Sequence, residues 1–272
     1  MKIFISVDIE GIAGVNEPLQ GQRGNPEYEI ARRLMTREAN AAIRGAFDGG
    51  ANEVVVADSH GPMRNMIAEE LDPRALLVSG KPRPLSMIEG LRSDHSGVIL
   101  IGYHAAAGET GVLAHTVSGL AFARIRINGE IAGEPTLFAG HAAEIGVPLL
   151  AASGDDRLCA EIAQQFPGAR QIEVKTALGA QASQSLSPET SRARIQTEVA
   201  QVVRQAGKAK VEPLCLPPLT VEVRLMRQVY ADAAALLPHI TRQSATEIMF
   251  TASSHREVIG TIAALALMSS AL

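Results

Sequence analysis

The chain has 272 residues, of which 46% are hydrophobic and 20% are charged, and its formal net charge at pH 7 is −4. This balance is typical of a globular protein with a substantial core and excludes a wholly disordered chain. The acidic charge argues against a nucleic-acid binder, and an aromatic content of 3% without tryptophan argues against stacking platforms for bases or sugars. Two distant cysteines, Cys159 and Cys215, are interpreted as buried thiols.

The first half of the chain predicts strands and helices in alternation. Residues 2–7 are mostly apolar or β-branched and predict a buried strand, and Asn25-Pro26 predicts the start of a helix that Gly49-Gly50 ends. Further strands are predicted over 54–57, 75–78 and 98–101. Uniformly apolar strands are typical of a parallel sheet covered on both faces, so we expect a three-layer α/β fold with a mostly parallel sheet.

The second half predicts a β-hairpin and a smaller α/β part. Charged and apolar residues alternate over 124–127, before Asn128-Gly129, and predict the hairpin. Glu134-Pro135 then begins a helix that ends at Gly146. Later strands are predicted over 148–151, 171–174, 220–225 and 247–251, with helices between or after them. We predict a catalytic domain at 1–150 and a second α/β domain at 151–272, with one integrated unit as the alternative.

Neither end of the chain predicts a membrane segment. The N-terminal apolar run stops at Asp8 and is too short for a secretory signal. The Ala-rich stretch 258–272 is about one helical turn short of a bilayer span. We therefore expect a cytoplasmic protein whose C-terminal helix packs on the core, with no membrane and no nucleic-acid partner.

Residues that could bind a metal ion or take part in catalysis follow the predicted strands of the first half. Asp8 and Glu10 follow the first strand, His60 the second and His104 the fourth, and the hairpin returns the chain to Glu134. In open parallel sheets, ligands bind beyond the carboxyl ends of the strands. Carboxylates crowded at such an edge need a cation to balance them. The sequence therefore predicts a metal site formed by these five residues.

The type of ligand indicates the type of metal. Histidine and carboxylate ligands without thiolates suit Zn²⁺, with Mn²⁺ or Co²⁺ as alternatives. Five ligands are too many for one tetrahedral ion but suit two ions about 3.5–4 Å apart that share a carboxylate. Each residue alone has a plainer explanation, as a turn acid, a hydrogen-bonded structural histidine or a charge at a helix terminus. Their convergence on one edge favours the metal site.

Several common catalytic signatures are missing. The sequence has no phosphate-binding loop, no dinucleotide-binding fingerprint, no H-E-x-x-H helix motif and no G-x-S-x-G nucleophile elbow. These absences disfavour an ATPase, a Rossmann-type dehydrogenase and a serine hydrolase.

The three strand ends read Ser6-Val7-Asp8-Ile9-Glu10-Gly11, Asp58-Ser59-His60 and Gly102-Tyr103-His104. Together these motifs resemble the DppA-type family of zinc D-aminopeptidases. The likeness continues through 35–40, 115, 133–134, 153–156, 174–175 and 186–188, and it thins after about residue 210.

The resemblance implies a dinuclear zinc site with one bridging carboxylate. Asp8 is the bridge in this interpretation. Glu10 and His60 would complete one ion, and His104 and Glu134 would complete the other.

The resemblance also implies a function and an assembly. His115 matches the family histidine that acts directly in catalysis. The segment between His115 and Glu134 is one residue longer than the commonest family pattern, so Glu130 is the alternative ligand. The implied activity is release of N-terminal D-amino acids or glycine from short peptides, and the implied assembly is a ring-like homo-oligomer, with a decamer as one form. Two rivals are a dinuclear amidohydrolase of other specificity and a non-catalytic peptide-binding or transport accessory protein.

Four further charged residues have open roles. Asp155 and Asp156 are expected to favour a helix N-terminus. Lys175 is either a solvated charge at a strand end or a contact for a substrate carboxylate. Asp58, two residues before His60, is a candidate to orient an imidazole.

Overall fold

The computed structural model describes residues 1–211 and 213–272 of the chain. The elements, in chain order, are β1 (Lys2–Val7), α1 (Pro26–Asp48), β2 (Glu53–Asp58), β3 (Ala75–Val78), β4 (Gly97–Ile101), β5 (Phe122–Ile127), β6 (Glu130–Ile131), α2 (Glu134–Glu144), β7 (Leu149–Asp155), α3 (Asp156–Gln165), β8 (Arg170–Gly179), β9 (Ala182–Ser185), α4 (Pro188–Arg204), β10 (Leu219–Leu225), α5 (Gln228–Ala234), β11 (Thr241–Arg242), β12 (Glu247–Ala252) and α6 (His255–Ser269).

A seven-stranded sheet in the order β3-β2-β1-β4-β7-β8-β9 is the centre of the molecule. All neighbouring strands are parallel except β9, which is antiparallel to β8. Side chains alternate across β1, so that Ile3, Ile5 and Val7 pack with α1 and α4 while Phe4 faces the opposite core. The expected α/β fold, with a mostly parallel sheet and helices on both faces, is confirmed.

A second sheet, which the sequence did not predict as a separate unit, has the order β11-β12-β10-β5-β6 and is antiparallel. Its buried face shares one core with α2, α5, α6 and the Phe4 face of the large sheet. Both sheets contain strands from either side of residue 150. The division into domains at that residue stays a prediction.

The local signals at the ends of the helices agree with the structure. The side chain of Asn25 accepts a hydrogen bond from the backbone N–H of Glu27 and caps α1, and Pro26 is the first helical residue. Asp155 caps α3 by accepting from the N–H groups of Arg157 and Leu158, as expected for a residue at a helix N-terminus. Among the described residues, no helix has the length and apolar character needed to span a bilayer.

Candidate metal centre

Three strands of the large sheet end level with one another. β1 lies between β2 and β4, and Val7 pairs with Asp58 on one side and with Ile101 on the other. The residues just beyond these three strands therefore meet at one edge of the sheet, as the carboxyl ends of parallel strands do. The four that carry ligand atoms are Asp8, Glu10, His60 and His104.

The loop after β1 crosses the loop after β4 at a distance that only glycine allows. A Cβ atom on Gly11 would lie 1.9 Å from the carbonyl oxygen of Tyr103. The N–H of Gly11 donates to the carbonyl of Gly102, which itself has a left-handed φ of 71°. This crossing brings Glu10 and His104 to the same site.

The carboxylate of Asp8 lies between two histidines. Its Oδ1 is 3.4 Å from His60 Nδ1, and its Oδ2 is 3.4 Å from His104 Nε2. Glu10 Oε2 lies 3.0 Å from the same His60 nitrogen, and Glu134 Oε2 lies 3.5 Å from the same His104 nitrogen. Asp8 thus joins one acid–histidine pair to another, and its side chain is only 3% exposed.

Backbone carbonyls fix the orientation of each imidazole. His60 Nε2 donates to Gly21 (2.8 Å), His104 Nδ1 to Ala105 (3.0 Å) and His115 Nδ1 to Leu113 (2.9 Å) when these nitrogens carry the ring proton. The other nitrogen of each ring then faces the carboxylates. This arrangement, one ring nitrogen held by the protein and the other free, is typical of metal-binding histidines.

The donor atoms at the centre of the site fit a divalent cation. His104 Nε2 and Glu134 Oε2 are buried and have no hydrogen-bond partner among the residues that the structure describes. Buried polar atoms are normally paired, so their convergence favours a shared cation. Within the described chain, ligand atoms lie within 4.8 Å of one another in two sets, Asp8 with Glu10 and His104, and Glu134 with His104 and His115.

Burial and charge shift the pKa values of these groups in opposite directions. Burial would lower the pKa of His104, but the facing carboxylates of Glu134 and Asp8 raise it to about 10. Burial raises the pKa of Glu134 to about 8, against the opposing effect of His104. Burial would also raise the pKa of Asp8, but the facing imidazoles of His104 and His60 hold it well below its usual value. The site therefore retains protons at neutral pH that a metal ion would displace.

A cavity of about 260 Å³ opens onto these residues. Asp8, Glu10, His60 and Glu134 contribute to its polar lining, and Lys81 also lines it. Apolar lining comes from loop and C-terminal helix residues, namely Met63, Met87, Ala263, Ala266 and Leu267. The C-terminal helix α6 thus supplies part of the wall of the site, a role that its sequence did not indicate.

Comparisons with known proteins agree with this geometry. The family model described as D-aminopeptidase matches residues 1–264, and a D-aminopeptidase of Bacillus subtilis (strain 168) is 37% identical over 239 residues, which are 88% of this chain and 86% of that relative. The chain belongs to the D-aminopeptidase family. It is thus a hydrolase of the metallo-aminopeptidase class, and the family assignment made from its motifs is confirmed.

A solved relative extends the comparison to the fold. The structure of the Zn-dependent D-aminopeptidase DppA from Bacillus subtilis superposes with a TM-score of 0.95 at 31% identity, covering 100% of this chain and 99% of that chain. That protein is described as a self-compartmentalizing protease.

His115 lies directly beside the predicted ligands. Its ring stacks on that of His104, with centroids 4.1 Å apart and planes 14° apart, and its Nε2 is 3.9 Å from Glu134 Oε1. The side chain is 22% exposed and lines the cavity. Burial and the neighbouring charge of His104 lower the pKa of His115, so the imidazole is neutral at pH 7.

The structure brings all five predicted ligands and His115 together. Glu134 begins α2, and its Oε1 accepts from the N–H of Val117. Glu130 lies exposed in β6 and belongs to neither set of convergent ligand atoms in the described chain. The remaining histidines bond or pack elsewhere: His95 with Arg92, His141 and His255 with Glu144, and His239 with Phe250.

Two of the open roles are corrected. The carboxylate of Asp58 accepts from the N–H groups of Asn65 and Met66 and orders the loop after β2, whereas Gly21 orients the His60 ring. The prediction that Asp58 orients an imidazole is wrong because its oxygens are occupied by that loop.

Lys175 is neither solvated nor a contact for substrate. It is 2% exposed, it does not line the cavity, and its ammonium donates to backbone carbonyls. Burial lowers the pKa of Lys175 to about 8. No local sequence signal identifies this role, because the acceptors are main-chain atoms about 160 residues away.

Proposed function

We propose that this protein is a zinc-dependent aminopeptidase with two ions per chain, which releases N-terminal D-amino acids or glycine from short peptides. The observation that carries the proposal is the position of Asp8, whose two oxygens face two different histidines. A carboxylate placed in this way suits a bridge between two ions. The Zn-dependent relative supports zinc over manganese or cobalt.

Each ion has its own side of the site in this proposal. Glu10 and His60 would hold one ion with Asp8, and His104 and Glu134 would hold the other. When bound, zinc ions supply Lewis acidity, which makes water a usable nucleophile near neutral pH and polarises a scissile carbonyl. The separation of the two acid–histidine pairs by Asp8 supports this assignment.

The residues of the chain would orient the substrate and move its proton. His115 is neutral at pH 7 and partly exposed in the cavity, so its Nε2 is suited to accept a proton and deliver it to the leaving amine.

Assembly and location belong to the same proposal. We infer a homo-oligomer, since the solved relative is described as self-compartmentalizing. We propose that this chain forms a decameric ring and that it is located in the cytoplasm.

Substrate chirality tests the proposed activity. A site that fixes the amine and the scissile carbonyl aims the side chains of opposite enantiomers at different walls, and exclusion by a wall discriminates strongly. We expect kcat/KM to be highest for peptides that begin with D-Ala, lower for Gly and at least about tenfold lower for L-Ala. Steady-state kinetics on matched dipeptides measure this order. A preference for L-Ala would reject the D-specificity, and cleavage of none of the three would favour the amidohydrolase of other specificity.

Zinc binding is also expected to release protons. In the metal-free protein the pKa of His104 is about 10 and that of Glu134 about 8, so both groups are protonated at pH 7 and must lose their protons before they can bind a cation. Burial would lower the pKa of His60, but Glu10 and Asp8 raise it well above its usual value, so this ligand also carries a proton. We expect a net release of protons on zinc binding at pH 7, and an affinity for zinc that rises as the pH is raised towards 8 and beyond. Calorimetry in buffers of different ionisation enthalpy counts the protons. Binding without proton release would contradict the assignment of these ligands.

A further inference from the structure

A buried lysine holds the loop that carries Glu10. Lys175 lies on β8, which β4 and β7 separate from β1, and its Nζ is within 3.2 Å of the carbonyl oxygens of Glu10, Ile12 and Val15. Burial lowers the pKa of this ammonium and the charges of the Asp155, Glu38 and Glu10 carboxylates oppose that effect, whereas its hydrogen bonds go to main-chain carbonyls. The backbone of the loop is therefore its binding partner.

The chemistry of lysine suits this position better than that of any other residue. Three carbonyl oxygens converge on one point, and an ammonium group carries three N–H donors on a single atom. The planar guanidinium of arginine spreads its donors over three nitrogens, and glutamine offers only two donors. Burying a charge is costly unless hydrogen bonds compensate it, and here all three ammonium donors have acceptors.

The backbone N–H groups of the same loop donate to side-chain oxygens on its opposite side. The buried carboxylate of Glu38 accepts from the N–H of Ala13, and Ser185 Oγ accepts from the N–H of Gly14. Glu38 is itself fixed by the hydroxyl of Ser191. The loop is thus fixed from its carbonyl side by the ammonium of Lys175 and from its amide side by the oxygens of Glu38 and Ser185.

We propose that Lys175 is a positioning residue of the metal centre. By binding the carbonyl of Glu10 and the two carbonyls beyond it, the ammonium fixes the backbone from which the Glu10 side chain reaches His60, at 3.0 Å. Loss of the ammonium leaves the Glu10 carboxylate free to turn away from the site. This inference rests on the proposed zinc site, and it assigns to Lys175 an effect on metal affinity that acts through Glu10.

Zinc affinity of the metal-free protein tests the inference without any assay of activity. Lys175→Met removes all three donors at nearly constant size, and Lys175→Gln keeps two. Competition with a chromogenic chelator is expected to show a zinc Kd roughly 10–100-fold weaker for Lys175→Met, the usual range for loss of a residue that orients a ligand, and an intermediate Kd for Lys175→Gln. Val221→Ala is the control, since it truncates a buried residue of the second sheet. It should lower Tm and leave the zinc Kd within about twofold, because Val221 contacts no part of the loop.

A double-mutant cycle separates positioning from general stabilisation. If Lys175 acts on the metal through Glu10, Lys175→Met should have less than about a twofold effect on zinc affinity in a Glu10→Ala background and its full effect in a Glu134→Ala background. If Lys175→Met does not fold, Lys175→Gln carries the same cycle. Equal losses in both backgrounds, or an unchanged Kd in a folded single variant, would overturn the positioning role. Wild-type protein that binds no zinc would instead overturn the proposed function.

Discussion

Replacing Asp8 with asparagine is expected to remove most of the bound zinc and to lower kcat/KM by more than about 10³-fold. An amide retains one acceptor oxygen where the carboxylate has two, and the two oxygens of Asp8 face His60 and His104 separately. Removal of a single hydrogen-bond donor to the oxyanion of a transition state already lowers the rate of an enzyme by about 10²–10³-fold. The loss of a metal ligand that two ions share should lower the rate further. Elemental analysis of protein purified without chelators, together with kinetics on a peptide that begins with D-Ala, measures both effects.

Asp58→Asn is the matched control for that substitution. Asp58 is also buried at the carboxyl end of a neighbouring strand, but its oxygens accept from Asn65 and Met66 instead of facing the site. The Asp58 variant should lose stability, since an amide nitrogen would meet N–H donors, and it should lose less zinc than Asp8→Asn because the Asp58 oxygens do not face the site. Equal zinc content in wild-type protein and in Asp8→Asn would rule out a bridging role for Asp8.

The residues at the ends of the strands were predictable because two simple regularities coincide. Apolar runs identified β1, β2 and β4, and parallel strands deliver the residues beyond them to one edge of the sheet. Asp8 and His104 therefore follow from the sequence without any long-range information. Glu134 followed from the Asn128-Gly129 turn and the helix start at Glu134-Pro135.

The parts that the sequence did not predict depend on contacts between distant segments. Nothing in the alternating pattern of β5 shows that its partner is β10, about 95 residues later, so the second sheet was not predicted as a separate unit. The hydrogen bonds from Lys175 to the loop after β1 were not predicted for the same reason, because main-chain acceptors leave no pattern in the amino-acid sequence. The contribution of Ala263 and Leu267 to the cavity depends on how α6 packs across the site, which its apolar composition does not specify.

His115→Ala is expected to keep its bound zinc and to lose roughly 10²–10⁴-fold in kcat, the usual effect of removing a positioned acid–base group. The reason is the position of the ring, which lines the cavity, presents Nε2 towards Glu134 at 3.9 Å and is neutral at pH 7 because burial lowers its pKa. Metal content and single-turnover rates distinguish loss of catalysis from loss of ligand. His141→Ala is the control, since that buried histidine pairs with Glu144 outside the site and its removal should leave kcat unchanged.

A second substitution separates proton transfer from packing at this position. The His115 ring stacks on His104 at 4.1 Å, so its removal could lower the rate by releasing His104. His115→Phe keeps an aromatic ring at that position and removes both nitrogens. If His115 moves a proton, His115→Phe should be as slow as His115→Ala, and its zinc Kd should match that of the wild type. Turnover restored by phenylalanine would assign His115 to support of the His104 ring and would leave the proton transfer to another group.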